Sequence, residues 1–251
     1  MKEKLLNKHK AVGIMLSEIA FPNISYLLKN NGYDFFIIDC EHGSFNFETA
    51  AAIIGTAKLC GICPIVRIPE IRREVILKYL DAGAGGLVVP MVKNAEDVKK
   101  VVEYARYAPL GQRGISTMRA HTGYNSSNLL EYMKNSNQNN LIFIQIELNE
   151  ALNNIEEIAG VEGIDGLIVG PSDLSMDLGI FNQLEHPLML HAIEKVILTA
   201  QNKGLYSGII TSNIELINSC IEKGINVLSC DSELGLINKG LKTNITKLTS
   251  T

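Results

Sequence analysis

The chain has 251 residues, a length that fits either two average domains or one α/β barrel. Hydrophobic residues make up 46% and charged residues 20%, as in globular proteins with a large apolar core. The net charge of -4 argues against nucleic acid or a membrane as partner, and no apolar run approaches the ~20 residues that span a bilayer. The start of the chain also lacks the apolar region of a signal peptide, so we expect a cytoplasmic protein.

Apolar runs rich in β-branched residues alternate along the chain with stretches of helical periodicity. This alternation predicts a parallel sheet, and eight strands match the count of a (β/α)8 TIM barrel. No linker divides the chain, so residues 1–251 are expected to form one domain, with a polar, mobile tail at 239–251. The predicted strands are 11–17, 35–38, 64–66, 87–90, 141–146, 166–170, 206–211 and 226–229. The predicted helices include 23–30, 47–59, 72–81, 95–107, 129–134, 188–203 and 214–223.

The five cysteines do not indicate a disulfide framework, because their number is odd. Cys60 and Cys63 have C-x-x-C spacing, which is found in redox and zinc sites. No second pair completes a zinc site, and this pair precedes a predicted strand instead of opening a helix. We therefore expect two structural thiols in a turn between a helix and a strand.

Ionisable and polar side chains stand where the predicted strands end. The active site of a TIM barrel lies at the carboxyl ends of its strands, so we expect these residues to gather at one rim. They are Asp39, Glu41 and His42 after the second strand, Arg67 after the third, Gln145 and Glu147 at the fifth, and Ser172 and Asp173 after the sixth.

Glu147 and Asp173 follow successive strands and form a candidate metal site. A parallel strand pair joined by a helix brings both carboxylates to the same end of the sheet. Two carboxylates without a cysteine suit Mg²⁺ or Mn²⁺, which keep open positions that a chelating 2-oxo acid can fill. In the alternative interpretation, Glu147 begins a turn and Asp173 caps the next helix.

His42 and Arg67 are the candidate catalytic side chains. Arg67 could stabilise a developing enolate oxygen by roughly 3–4 kcal/mol. His42 could move a proton, since an unperturbed imidazole has a pKa of about 6.5. The alternatives are that His42 fills a polar turn and that Arg67 pairs with a neighbouring acid. The remaining histidines considered are expected to be structural, namely His121, His186 and His191.

At these positions the chain resembles the HpcH/HpaI-type class II pyruvate aldolases, which include the 4-hydroxy-2-oxo-acid and 2-dehydro-3-deoxy-aldarate aldolases. The similar motifs include Asp39-Cys40-Glu41-His42-Gly43 and Gly170-Pro171-Ser172-Asp173, and they stand in the family's order between residues 11 and 235. The other similar segments are 32–34, 66–67, 80–83, 89–92, 111–114 and 145–147. The resemblance implies a TIM-barrel carbon–carbon lyase that forms or cleaves a 4-hydroxy-2-oxo acid.

The resemblance also implies catalytic roles. His42 would be the base, Asp81 the acid that increases its basicity, and Arg67 the group that stabilises the transition state and contacts the substrate. The resemblance implies a homo-oligomer, a hexamer or trimer, in which C-terminal helices are exchanged between subunits. The implied small-molecule partners are pyruvate and an aldehyde.

The resemblance further implies the metal and substrate ligands. Glu147 and Asp173 would bind the divalent cation, which is Mg²⁺ or Mn²⁺ with Co²⁺ as a third candidate. Gln145 and the backbone at Ser172 and Asp173 would contact pyruvate. The family often has a small or apolar residue where Ser172 stands, and segment 116–128, expected on the aldehyde side, does not identify an aldehyde.

Three other functions remain open from the residues alone. A Schiff-base aldolase needs a lysine at a strand end, whereas Lys93 lies beyond Pro90. A CoA-thioester carbon–carbon lyase shares the fold and the chemistry, but the chain has no added basic segment for the nucleotide. A catalytically silent barrel that binds a keto acid is the third alternative.

Overall fold

The computed structural model describes residues 1–7, 9–125 and 128–249, and its centre is a closed ring of eight parallel strands. Each strand pairs with the next, and the last pairs with the first. The ring and its surrounding helices confirm the predicted (β/α)8 TIM barrel. The strands are β1 (Ala11–Leu16), β2 (Phe35–Asp39), β3 (Cys63–Arg67), β4 (Gly86–Val89), β5 (Leu141–Ile146), β6 (Gly166–Val169), β7 (Tyr206–Thr211) and β8 (Val227–Ser232).

Helices lie outside the ring and return the chain to the start of each following strand. Within the described part of the chain, none combines the length and the apolar character needed to cross a membrane. The helices are α1 (Lys2–Leu6), α2 (Ile24–Asn30), α3 (Phe47–Cys60), α4 (Arg73–Ala82), α5 (Ala95–Ala105), α6 (Leu129–Asn139), α7 (Asn149–Asn153), α8 (Ile155–Ala159), α9 (Pro171–Asp177), α10 (Pro187–Asn202), α11 (Ile214–Glu222) and α12 (Glu233–Thr249).

The strands are apolar on both faces because one face fills the barrel and the other packs against helices. Phe35 and Phe143 point into the barrel, where they are fully buried. Small residues accommodate these rings: a Cβ atom on Gly13 would lie 2.5 Å from the Phe35 ring, and one on Gly166 would lie 2.8 Å from the Phe143 ring. The outward side chains of the strands join the helices in the larger core cluster.

The end of the chain differs from the prediction. The polar segment from residue 239, predicted as a mobile tail, belongs to α12 up to Thr249, while residues 250 and 251 lie outside the described part. Its apolar side chains recur with helical spacing, and Leu234, Leu241 and Leu248 are exposed on the outside of the helix. That spacing is a helical signal which the polar composition had obscured.

Candidate active site

The carboxyl ends of the strands surround a cavity of 290 Å³. A larger cavity of 420 Å³ opens at the other end of the barrel, beside Cys63 and Leu141, where β3 and β5 begin. We assign the candidate site to the smaller cavity because the predicted side chains converge on it. Its lining includes His42, Arg67, Gln145, Ser172 and Asp173, with Met15 and Ile210 as apolar wall.

Arg67 is fixed at the rim by Asp39, the last residue of β2. Its Nε donates to Asp39 Oδ1 at 3.0 Å and its Nη2 donates to Asp39 Oδ2 at 2.7 Å. Burial raises the pKa of Asp39, but the hydrogen bonds and charge of Arg67 outweigh burial and hold that pKa below the ordinary value. Arg67 therefore does pair with a neighbouring acid, as the alternative interpretation predicted. It also lines the cavity.

Glu41 places a second carboxylate beside the same guanidinium. Its Oε2 lies 3.3 Å from Arg67 Nη1 and 4.0 Å from His42 Nε2. Burial raises the pKa of Glu41 to about 6; the charge of Arg67 opposes this increase, and the charge of Glu147 adds to it. A carboxyl group with this pKa exchanges protons close to neutral pH.

The turn that carries His42 is built on Asp39. The backbone N–H groups of Glu41 and His42 donate to Asp39 Oδ1 at 3.1 and 3.2 Å. Gly43 closes the turn, because a Cβ atom there would lie 2.1 Å from the carbonyl oxygen of Asp39. The His42 side chain is 68% exposed, so its imidazole stands at the open mouth of the cavity.

Glu147 is 2% exposed and is held by neighbouring donors. The backbone N–H of Met91 donates to its Oε1 at 2.6 Å, and Gln145 Nε2 donates to its Oε2. Met91 presents this N–H from a left-handed conformation, with φ of 56°. Burial raises the pKa of Glu147, and the charge of Asp173 acts in the same direction, while the two donors oppose the increase.

These residues fit a hard divalent cation. Gln145 Oε1 is buried without a hydrogen-bond partner, beside two carboxylates whose repulsion a cation would relieve. Gly170 keeps the space open, since a Cβ atom there would lie 3.2 Å from Glu147 Oε2. No group of three or more His, Cys, Asp or Glu side chains suited to a metal occurs among the described residues. A cation at this place would take its other ligands from water and substrate.

Most of the chain matches one family, from the turn after β1 into α12. The family model of the HpcH/HpaI aldolase/citrate lyase family matches residues 18–239. The chain belongs to this family. It is 35% identical over 199 residues to 4-hydroxy-2-oxo-heptane-1,7-dioate aldolase of Shigella flexneri, covering 79% of this chain and 74% of the relative. It is 30% identical over 244 residues to 2-keto-3-deoxy-L-rhamnonate aldolase of Salmonella gallinarum, covering 97% and 91%.

Solved structures agree with this assignment. The crystal structure of an HpcH/HpaI aldolase from Desulfitobacterium hafniense DCB-2 superposes with a TM-score of 0.95, at 32% identity, covering 100% of this chain and 97% of that one. The chain is accordingly an aldolase, a carbon–carbon lyase of the HpcH/HpaI family. The family's aldolases are in general dependent on a divalent metal.

Asp81 is the predicted site residue that the structure does not bring to the rim. It lies near the end of α4, and helices of a barrel run back from the carboxyl ends of the strands to the other end. There it accepts a hydrogen bond from Arg113 at 2.7 Å and lies 3.7 Å from His121 Nδ1. The predicted contact of Asp81 with the His42 imidazole is therefore not formed within one chain.

Segment 116–128 also lies away from the cavity within one chain. Its 3₁₀-helix, Ala120–Thr122, places His121 against Asp81 at the other end of the barrel. Residues 126 and 127, which fall in this segment, lie outside the described residues. The prediction that this segment lines the aldehyde side does not hold for the described part of a single HpcH/HpaI barrel.

Two contributors to the HpcH/HpaI site were missed by sequence reasoning. Met91 acts through its backbone N–H, and a backbone group has no signature in the sequence. Asp39 was noted at a strand end, but its pairing with Arg67 and its hold on the His42 turn were not predicted. The register of β2 and β3 could have indicated the pair, since Asp39 and Arg67 are direct neighbours in the sheet.

Proposed function

We propose that this aldolase cleaves and forms 4-hydroxy-2-oxo acids, with pyruvate and an aldehyde as the smaller reactants. The observation that carries the proposal is that Arg67, Gln145 and Asp173 line one cavity with His42, while buried Glu147 lies directly beside Gln145. This set supplies a fixed cation, oxygen ligands and a proton carrier, which are the groups that enolisation of a 2-oxo acid requires.

Glu147 and Asp173 would bind the divalent cation, with Mg²⁺ or Mn²⁺ as the expected metal and Co²⁺ as a further candidate. When bound, such an ion polarises the keto group of a 2-oxo acid and makes the neighbouring carbon acidic. Gln145 and the backbone at Ser172 and Asp173 would hold the pyruvate portion. The resemblance of the motifs to the family supports these assignments.

Arg67 would stabilise negative charge on the enolate oxygen. Asp39 fixes its guanidinium in a bidentate pair, so little reorganisation is needed when charge develops. His42 would accept the proton of the 4-hydroxyl group during cleavage and return it during condensation. Within one chain, Glu41 Oε2 lies 4.0 Å from His42 Nε2. The role of Asp81 as the acid that increases the basicity of His42 stays a prediction.

Proton exchange between pyruvate and deuterated water tests this proposal without knowledge of the aldehyde. We expect exchange with added Mg²⁺ or Mn²⁺, none in chelator, and none in Glu147→Ala or Asp173→Ala. Glu150→Ala is the matched control, because its carboxylate is exposed on α7 outside the cavity. Full exchange in chelator would remove the metal from the mechanism.

The same assay separates the alternative functions. Exchange with acetyl-CoA and none with pyruvate would support a CoA-thioester lyase, in agreement with the citrate lyases that the family description includes. Pyruvate binding without exchange would support a silent keto-acid-binding barrel.

We also propose a homo-oligomer, a trimer or hexamer, in which α12 is exchanged between subunits. The exposed leucines at positions 234, 241 and 248 support packing of α12 against a second copy. Light scattering coupled to size exclusion tests the assembly, and a monomeric protein would contradict it. Residence in the cytoplasm stays a prediction.

A further inference from the structure

Glu233, the first residue of α12, is a buried acid outside the catalytic set. It is 4% exposed, although most of α12 is exposed. Its Oε1 accepts hydrogen bonds from the backbone N–H groups of Ser17 and Glu18, both at 2.7 Å, and of Ile19 at 3.2 Å. One carboxylate oxygen thus gathers three successive donors of the turn that follows β1, and we refer to residues 17–19 as the β1 turn.

The backbone conformation at the end of β8 directs the Glu233 side chain toward the β1 turn. Asp231 has a φ of 77°, and its Oδ1 accepts a hydrogen bond from the backbone N–H of Ser232 at 2.8 Å. Lys239 Nζ donates a hydrogen bond to the other carboxylate oxygen of Asp231, Oδ2, at 2.6 Å. A Cβ atom on Gly235 would lie 1.9 Å from Asp231 Oδ1, so glycine allows α12 to begin close against this carboxylate. The orientation of Glu233 is therefore built into the backbone.

The β1 turn lies directly against the turn that carries His42. The carbonyl oxygen of Ser17 accepts a hydrogen bond from the backbone N–H of Ser44 at 2.9 Å. A Cβ atom on Gly43 would lie 2.8 Å from that same oxygen, so the two turns are in close contact. Met15, two residues before the β1 turn, lines the cavity. Displacing the β1 turn would therefore shift both His42 and the apolar wall.

We propose that Glu233 is a positioning residue that holds the β1 turn against the His42 turn and so connects the attachment of α12 to the catalytic rim. Without its carboxylate, three backbone donors lose their acceptor, and the turn rearranges to reach water. The consequence for catalysis rests on the proposed function of His42. The structural part, that Glu233 sets the position of His42, does not depend on it.

Glu233→Ala and Glu233→Gln separate positioning from general stability. Glutamine keeps a side-chain oxygen that can accept the same N–H groups, whereas alanine removes it. We expect the alanine variant to lower kcat for pyruvate proton exchange about tenfold, in line with the displacement of a catalytic group. Its affinity for Mn²⁺ should stay within about twofold, because Glu147 follows β5 and Asp173 lies in α9, away from the β1 turn. Glutamine should restore most of kcat.

Asp165→Ala is the matched control. Asp165 is another part-buried acid that accepts a backbone hydrogen bond, from Ile142 at 2.8 Å, but it lies at the other end of the barrel. We expect the Asp165→Ala variant to have a lower Tm and an unchanged kcat. If Glu233→Ala fails to fold, Glu233→Asp gives the same comparison, since its shorter side chain draws the β1 turn away while keeping the charge.

Two further readouts keep this inference distinct from the proposed function. The amides of residues 17–19 should lose hydrogen-exchange protection in Glu233→Ala, and the imidazole resonances of His42 should shift. If the wild-type protein does not exchange the pyruvate proton, the proposed function fails and these two measurements still decide the inference. Unchanged His42 resonances in a folded alanine variant, or a glutamine variant as impaired as alanine, would overturn it.

Discussion

Two buried arginines at opposite ends of the barrel use the same ion-pair chemistry to different effect. At the amino-terminal end, Arg106 donates to the carbonyl oxygens of Gly163, Asn137 and Asn140 and pairs with Asp165 at 2.6 Å. At the rim, Arg67 pairs with Asp39 and lies beside Glu41 while it lines a cavity.

The difference lies in how completely the partners are satisfied. The Arg106 network ends in backbone carbonyls, and Asp165 accepts further hydrogen bonds from Ile142 and Lys2. At the rim, Gln145 Oε1 is buried without a hydrogen-bond partner, and Glu41 Oε2 has only its ion pair with Arg67 Nη1 at 3.3 Å. A completed network stabilises the fold, whereas open acceptors beside a cavity are available to a ligand.

Breaking the amino-terminal network should have the largest effect on stability. Arg106→Ala removes the charged partner of Asp165 and the donor to three carbonyl groups, so we expect the free energy of unfolding to fall by about 3–5 kcal/mol. Urea unfolding measures this loss. The folded fraction should keep its turnover, and a variant that folds normally but has lost activity would contradict the division between the two ends.

Changing the rim arginine should instead act on catalysis. Arg67→Lys keeps the charge but cannot reproduce the bidentate pair with Asp39, so the cation loses its fixed position. We expect turnover to fall about 10²–10³-fold with the fold retained. Steady-state kinetics with circular dichroism as the control measures both quantities. Turnover equal to that of the wild type would exclude Arg67 from the reaction.

Glu41 makes the rim sensitive to pH in the metal-free protein. Because its folded pKa of about 6 lies above the ordinary 4.5, the folded state binds more protons than the unfolded state between these values. Stability should therefore fall as pH rises from about 4.5 to 6, by about 2 kcal/mol at most. Urea titrations in chelator should show this slope in the wild type and its absence in Glu41→Gln. An identical slope in both proteins would place the titrating group elsewhere.

The smallest expected effect concerns Met91, whose left-handed backbone conformation presents its N–H to Glu147. Met91→Gly keeps the N–H that Glu147 accepts and adopts positive φ freely, so metal affinity should be retained and stability should change by only about 1 kcal/mol. Met91→Val disfavours that φ and should weaken Mn²⁺ binding several-fold. Calorimetric titration compares the pair, and equal affinities would show that the φ of residue 91 does not control Glu147.

The sequence predicted the barrel because its strands are apolar on both faces. The fifth and seventh strands begin and end at the predicted residues. The eighth extends further, since the polar residues up to Ser232 pair with β1 across a bulge and lack an apolar signal. Helix α5 ends at Ala105, whereas the prediction was 95–107, because Arg106 leaves the helix and donates to Gly163 and Asp165.

The rim could be predicted only in part. Residues at strand ends converge on the cavity because parallel strands share one direction, and this holds for His42, Arg67 and Asp173. Within one chain Asp81 lies away from the rim, because it stands near the end of α4 that faces the other end of the barrel, and its role toward His42 stays a prediction. Glu233 was missed because its partners are backbone groups more than 200 residues earlier in the chain.

The barrel closes by pairing its first strand with its last. During synthesis on the ribosome, β1 is made long before β8. The edge of β1 that pairs with β8 therefore stays unpaired until nearly the whole protein has been synthesised. The cavity takes Met15 from β1 and Ile210 from β7, so its apolar wall needs strands from both ends of the barrel sequence. We therefore expect the complete cavity to form only after the C-terminal strands have been synthesised.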